Sequence, residues 1–359
     1  WCVSGAPVWN PRTRNRKKTY LCGMESRIVL LFIVLSFVAL ALFVVDLATG
    51  AVPIPLGDVW AALAGGDAAP ATAKIVRDIR LVKAVVAVAA GMALSVSGLQ
   101  MQTLFRNPLA GPYVLGISSG ASLGVALFIL GAPLFGAAAG GGGPMASLGM
   151  AGAAWVGSAS ILLVIAAVSR RIRDIMVILI LGMMFSSGVG AVVQILQYLS
   201  REEALKSFVM WTMGSLRDVT AGQLALLLPA VALGLGLSVA AVKPLNLLLL
   251  GEQYARTMGL DVRRARLLLF LSTILLAGTV TAFCGPIGFV GLAVPHVARM
   301  LFRDADHRVL MPASALVGAV VLLACDIVSK QLTLPVNTIT ALLGIPVVVW
   351  VVVRNKSIA

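Results

Sequence analysis

The chain has 359 residues, 60% of them hydrophobic and 12% charged, with a mean hydropathy of +1.01 and a formal net charge of +14. A soluble domain carries roughly 25% charged residues, and a transmembrane barrel consists of short alternating segments. Both are excluded, and an all-α polytopic membrane protein is expected. The basic excess does not indicate nucleic acid, because that reading needs one basic face on a folded domain and the sequence has none.

Residues 1–27 carry the run Arg12, Arg14, Arg16, Lys17 and Lys18 and are expected to form a basic cytoplasmic tail. A start at Met24, with an extension before it, is a second reading. Residues 28–359 are expected to be one transmembrane domain. Ten stretches approach the ~20 apolar residues needed to cross a bilayer: 28–48, 81–104, 112–131, 146–168, 174–198, 222–242, 266–283, 288–301, 309–329 and 337–353. With both termini inside, the cytoplasmic segments and adjoining span ends hold 20 Lys/Arg and 6 Asp/Glu, against 8 of each outside. That asymmetry is the positive-inside signal.

Between the first two spans, 49–80 holds Pro53, Pro55, Asp58, Asp67 and Pro70 and reads as loop with a short helix. Span two offers Gly91, Ser95, Ser97 and Gly98, and span three Gly116, Gly120 and Gly124, surfaces small enough for close helix contact. Arg106-Asn107-Pro108 closes span two, since Pro108 cannot continue a helix. The Gly-rich stretch 131–144 is a linker; without any Gly-Lys pair the chain has no Walker A phosphate loop. Residues 200–218 read as a short amphipathic helix on the outer membrane surface.

The segment 244–267 places Leu247, Leu248, Leu250, Tyr254, Met258 and Leu260 on one helical side, with Gly251 and Gly259 permitting turns. From the pattern alone it is either an ordinary basic loop or a helix–turn–helix made for a partner. Residues 285–308, GPIGFVGLAVPHVARMLFRDADHR, then break an apolar span with two prolines and three glycines. Irregular backbone at membrane depth survives only where protein covers it or water reaches it.

The remaining reactive residues read as structural. Cys284 and Cys325 have no CxxC partner or metal-ligand spacing and are expected to pack. His296 and His307 suit interhelical hydrogen bonds, and Met176, Met183, Met184, Met210 and Met213 suit packing. No metal site is expected. Asp46 and Asp326 lie near the outer span ends, and span interiors carry essentially no ionisable group. Ion-coupled carriers usually place one near the midplane, so secondary transport is disfavoured.

Three blocks carry a resemblance. ALSVSGLQMQTLFRNPLAGPYVLGISSGASLG, the 285–308 break, and DHRVLMPASALVGAVVLLACDIVSK followed by LPVNTITALLGIPVVVWVVV resemble the FecCD-like permeases of bacterial ABC importers for iron chelates, haem and cobalamin. The resemblance runs from about Ile28 to Ile358. It implies a type II importer fold in the bacterial inner membrane, with a second copy of the chain as homodimer partner and surrounding membrane lipid. It also implies two cytoplasmic ATPase subunits, which would hold ATP and Mg, and an extracytoplasmic substrate-binding protein; this chain would hold no cofactor.

By the same resemblance Gly251, Glu252, Ala255, Arg256, Met258 and Gly259 form the ATPase-coupling loop, and Arg80, Lys83 and Lys330 dock the binding protein. Here RLVK stands where the family usually has RLPR, and Lys330 stands where Arg is usual, so the planar fork that grips carboxylates is lost at two positions. Ser186, Ser187, Gln194 and Gln197 on span five, with Asn337, Thr338 and Thr340 on span ten, are the expected path lining. The implied cargo is a ferric chelate, iron-siderophore or haem. A cobalamin importer of the same family, an ion-coupled secondary transporter and a non-transporting receptor or scaffold are the alternatives.

Overall fold

Every regular element among the described residues is helical, as apolar spans in lipid require of an open chain. The computed structural model describes residues 11–50, 52–66, 69–131, 144–169, 172 and 175–354. The Gly-rich stretch 132–143 and Arg170, Arg171 and Arg173 fall outside these. The elements are α1 (Pro11–Ala48), α2 (Leu56–Ala64), α3 (Pro70–Lys74), α4 (Val82–Leu104), α5 (Ile117–Ile129), α6 (Pro144–Ser169), α7 (Ile175–Leu199) and α8 (Glu202–Thr212). They continue as α9 (Ala221–Ala240), α10 (Val242–Leu249), α11 (Glu252–Thr257), α12 (Val262–Thr273), α13 (Thr279–Cys284), α14 (Val290–Phe302), α15 (His307–Leu332) and α16 (Val336–Arg354). Wider π-helical turns join α3 to α4 over Ile75–Leu81 and α12 to α13 over Ile274–Gly278.

Among the described residues, seven stretches are long and apolar enough to cross a membrane, and three shorter apolar helices cover Ile117–Ile129, Val290–Phe302 and Val336–Val351. The ten expected spans fall on these ten stretches. Two boundaries differ. Helix α1 reaches back to Pro11, so part of the expected tail is helical. The second span continues helically from Pro70 instead of beginning at 81, and 49–80 holds two short helices rather than one. Arg77, Asp78, Arg80 and Lys83 mask that continuation in the sequence.

Helix α4 is the axis of the bundle: 20 of its 23 residues are buried, and α15, α14 and α9 pack around it. Lipid tails are as apolar as leucine, so helices here gain from close packing rather than from leaving water. The small residues supply it. A Cβ on Gly98 would fall inside the Gly291 carbonyl of α14, and one on Gly91 inside the Gly318 carbonyl of α15. Pro295 cannot donate to the Gly291 carbonyl one turn back, and that freed carbonyl is the atom lying against bare Gly98. On α5, Gly120 and Gly124 meet the backbone of α6 at Gly157 and Ala153, whereas Gly116 has φ +78° and serves a turn.

The break between α13 and α14 is covered by protein. Gly285 adopts φ +73°, and Ile287 is fully buried. The Asn337 side chain at the start of α16 accepts from Gly288 N at 2.9 Å, and Ser215 N donates to the Cys284 carbonyl at 2.8 Å. With 13 residues, α14 spans about 20 Å, short of the ~30 Å hydrocarbon core. The irregular entrance completes the crossing.

At the end of the bundle that carries Asp46, called the upper end, four buried charges cancel. Lys330 Nζ lies 2.8 Å from Asp46 Oδ1 and 3.0 Å from Asp326 Oδ2, and Lys83 Nζ lies 2.9 Å from Asp326 Oδ1. The Asp326 contacts stand off the line of a good hydrogen bond, so charge attraction dominates them. Beside this cluster Arg80 donates to the carbonyls of Leu47, Ala48 and Val52, closing the negative end of α1.

These contacts correct one expectation. Arg80, Lys83 and Lys330 do not reach outward for a binding protein; Arg80 and Lys83 are 4% exposed and the Lys330 side chain 6%, with each cationic end turned into the bundle. Removing one member should show it. Lys330→Met leaves two carboxylates to share one cation and should lower unfolding stability in detergent by about 3–5 kcal/mol; adding Asp46→Asn should recover most of the loss. Gly98→Leu should cost about 3 kcal/mol or more by overpacking, while Gly152→Ala, with open space around its position, should leave the thermal midpoint unchanged or raise it.

Candidate functional site

The opposite, lower end exposes a folded loop. Helix α10 stops at Leu249, Gly251 turns the chain at φ +103°, α11 makes one and a half turns, and Gly259 turns it again at φ +86°. Asp261 then caps α12, accepting from the amides of Arg263 and Arg264 at 3.0 and 3.2 Å. Both turns need left-handed backbone that side chains with a Cβ resist.

Salt bridges stiffen the loop from within. Arg266 of α12 grips Glu252 through two nitrogens and reaches the Ile172 carbonyl at 3.5 Å. Arg256 lies 3.8 Å from the same carboxylate. Ala255 is fully buried at the point where α11 rests on the bundle. Among the expected coupling residues, Glu252 and Ala255 therefore hold the loop in shape, and Gly251 and Gly259 turn it. Met258, 56% exposed, is the one that faces outward with an apolar side chain.

The apolar side expected of this segment divides. Leu248 is buried and Leu247 and Leu260 pack on the core, whereas Leu250 and Tyr254 are each 58% exposed. Leu250, Tyr254 and Met258 are large apolar side chains left exposed on the loop. Their i, i+4, i+8 spacing was visible in the sequence, but not that Leu247, Leu248 and Leu260 of the same apolar side pack inward while these three stay exposed.

Behind the loop a polar lattice ties it to the central helices. The Asn246 side chain of α10 takes the His307 backbone amide at 2.9 Å and His307 Nδ1 at 2.7 Å through Oδ1, and its amide donates to Asp306 at 2.6 Å. His307 Nε2 faces Thr103 Oγ1 of α4 at 2.9 Å. With the proton on Nδ1, the neutral ring satisfies both partners. The Arg308 amide and the Asn246 side chain together hold the Asp306 carboxyl below its ordinary value. One turn away, Gln102 accepts from Arg299 at 2.6 Å and donates to the Leu292 carbonyl at 3.0 Å, and His296 Nε2 sits 2.8 Å from the Pro108 carbonyl.

Both histidines thus make the interhelical contacts expected of them. Gln102 and Asn246 went unnoticed in the sequence, where the only available signal was polarity inside apolar helices; Arg299 was visible only as part of the polar tail of the 285–308 break. The lattice links α10 to α4, α14 and α15, so a push on the loop reaches the helices that pack along the whole span.

The expected path lining is scattered. Ser186 and Ser187 bond back to carbonyls of their own helix, Gly182 at 2.8 Å and Met183 at 3.1 Å. Gln194 and Thr338 are exposed, Gln197 is half-buried, Thr340 is buried, and Asn337 is committed to Gly288. The exposed members lie on α7 and α16, whose open faces are otherwise apolar.

Comparison with known proteins follows the same lines. The model of the FecCD transport family matches residues 37–354. The hemin transport system permease HmuU of Yersinia pestis is 38% identical over 348 residues, covering 93% of this chain and 98% of its own. The vitamin B12 import permease BtuC of Citrobacter koseri is 32% identical over 344 residues, covering 94% and 98%. An inward-facing ABC transporter described as of metal-chelate type has a TM-score of 0.77 at 29% identity, covering 90% of this chain and 99% of its own. Matched over nearly its whole described length, the chain belongs to the FecCD transport family, whose permeases reside in the inner membrane.

Proposed function

We propose that the chain is the membrane-spanning subunit of a binding-protein-dependent ABC importer that moves a ferric chelate, haem or an iron-siderophore, into the cytoplasm. The observation that carries this reading is the salt-bridged loop on which Leu250, Tyr254 and Met258 are exposed. Three large apolar side chains on a charge-braced loop suit a groove in a partner, since aromatic and apolar anchors dominate such contacts. A chain without a phosphate loop must take its energy from another subunit, and on this reading ATP and Mg sit there. On this reading the positive-inside asymmetry would have this loop and both termini face the cytoplasm.

The reading includes a second copy of the chain. The open faces of α7 and α16 would meet their counterparts across a two-fold axis. Ser187, Gln194 and Thr338 would give the resulting path sparse polarity, weak enough to release a large ligand. Docking of the binding protein would fall to exposed upper-end residues other than the buried trio; Arg77 and Arg217 are such residues. Haem is favoured as cargo by the similarity to a hemin permease; the similarity to vitamin B12 permeases supports cobalamin as the second reading.

Reconstitution with the cognate ATPase subunit and binding protein tests both levels. Haem or ferric siderophore should accumulate only with ATP. Tyr254→Asp with Met258→Asp should weaken ATPase-subunit binding by roughly 30-fold or more, the range of two-anchor loss, while the helical circular dichroism stays unchanged. Uptake that persists without ATP would reject the importer reading, and uptake of cobalamin alone would reject the ferric cargo.

A further inference from the structure

An open groove of about 690 Å³ runs between α1, α4, α9, α10 and α15, away from the coupling loop and the upper charges. Helix α4 contributes Val88, Met92 and Val96, at successive turns, and α9 contributes Leu235 and Val239. Small residues, Ala39, Ala315 and Ala319, leave the space between them. Every lining residue is apolar except Lys243, His307 and Arg308, and all three lie at the lower end.

His307 is occupied by Asn246 and Thr103. Lys243 and Arg308 are exposed, and neither takes part in an ion pair among the described residues. The neighbouring acid, Asp306, is engaged by the Arg308 backbone amide and by Asn246.

The dimensions match one half of a bilayer. Along α15 the lining runs from Arg308 to Ala319, eleven residue steps or about 16 Å, against roughly 15 Å for one leaflet of hydrocarbon. Water has no polar partner along those walls and would not stay. An acyl chain would fill them, leaving its headgroup level with two exposed cations. Basic pockets between spanning helices at that depth bind anionic headgroups. We infer that this groove is a binding site for an anionic phospholipid, with the acyl chain along α4, α9 and α15 and the phosphate between Lys243 and Arg308.

Native mass spectrometry of the full-length chain in detergent tests this, using phosphatidylglycerol and phosphatidylcholine with matched acyl chains. The wild type should retain phosphatidylglycerol roughly tenfold better or more. Lys243→Gln with Arg308→Gln should lower that retention by roughly thirty-fold, about fivefold for each cation, with the lipid-free thermal midpoint unchanged. Val239→Trp, at a wall position 68% exposed and so tolerant of bulk, should lower retention of both lipids. Equal retention of the two lipids by the wild type, or the same loss from Arg201→Gln with Lys206→Gln, would overturn the assignment. So would a Val239→Cys cross-link in membranes that captures a second copy of the chain instead of lipid.

Discussion

Everything in this molecule hangs on how closely other helices approach α4. In a bilayer the gain from removing apolar surface from water is already spent before helices meet. What remains is dispersion between surfaces in contact, individually small and lost over a gap of less than an ångström. Gly91 and Gly98 bring the backbones of α15 and α14 to that distance. The cost is paid in shape: α14 must be short, lack a backbone bond at Pro295, and be entered through irregular chain. The cover over that entrance, from Asn337 and the segment after α8, is what makes such backbone tolerable at membrane depth.

The two ends of the bundle use polarity differently. At the upper end charge is neutralised inside the protein, joining α1, α4 and α15 through Asp46, Lys83, Asp326 and Lys330. At the lower end neutral amides and imidazoles form short, directional bonds from α10 to α4 and α15. The first arrangement resists separation without fixing orientation strongly. The second transmits orientation, which suits the end that bears the coupling loop.

Much of this was legible in the sequence. Apolar length located ten helical stretches because lipid leaves few alternatives, and Gly251 and Gly259 announced the loop because turns of that hand need them. The roles of Arg80, Lys83 and Lys330 were not legible. A basic residue near a span end looks the same whether it snorkels outward or meets a carboxylate from a helix far along the chain; Asp46 and Lys330 are separated by 284 positions. The same holds for Leu247 and Leu250, three residues apart in one apolar run, of which the first packs on the core and the second, at the end of α10, is exposed. Side-chain destination depends on tertiary contacts that periodicity does not encode.

The upper cluster has an electrical corollary. Two carboxylates and two ammonium groups sum to zero, and three helices carry them as one body. A charged element displaced through a membrane field exchanges about 2.3 kcal/mol per elementary charge for each 100 mV; a neutral one exchanges none. The four-charge cluster taken by itself is therefore indifferent to the membrane potential; the Arg80 guanidinium beside it, held by carbonyls, is the charge on that body that would feel the field.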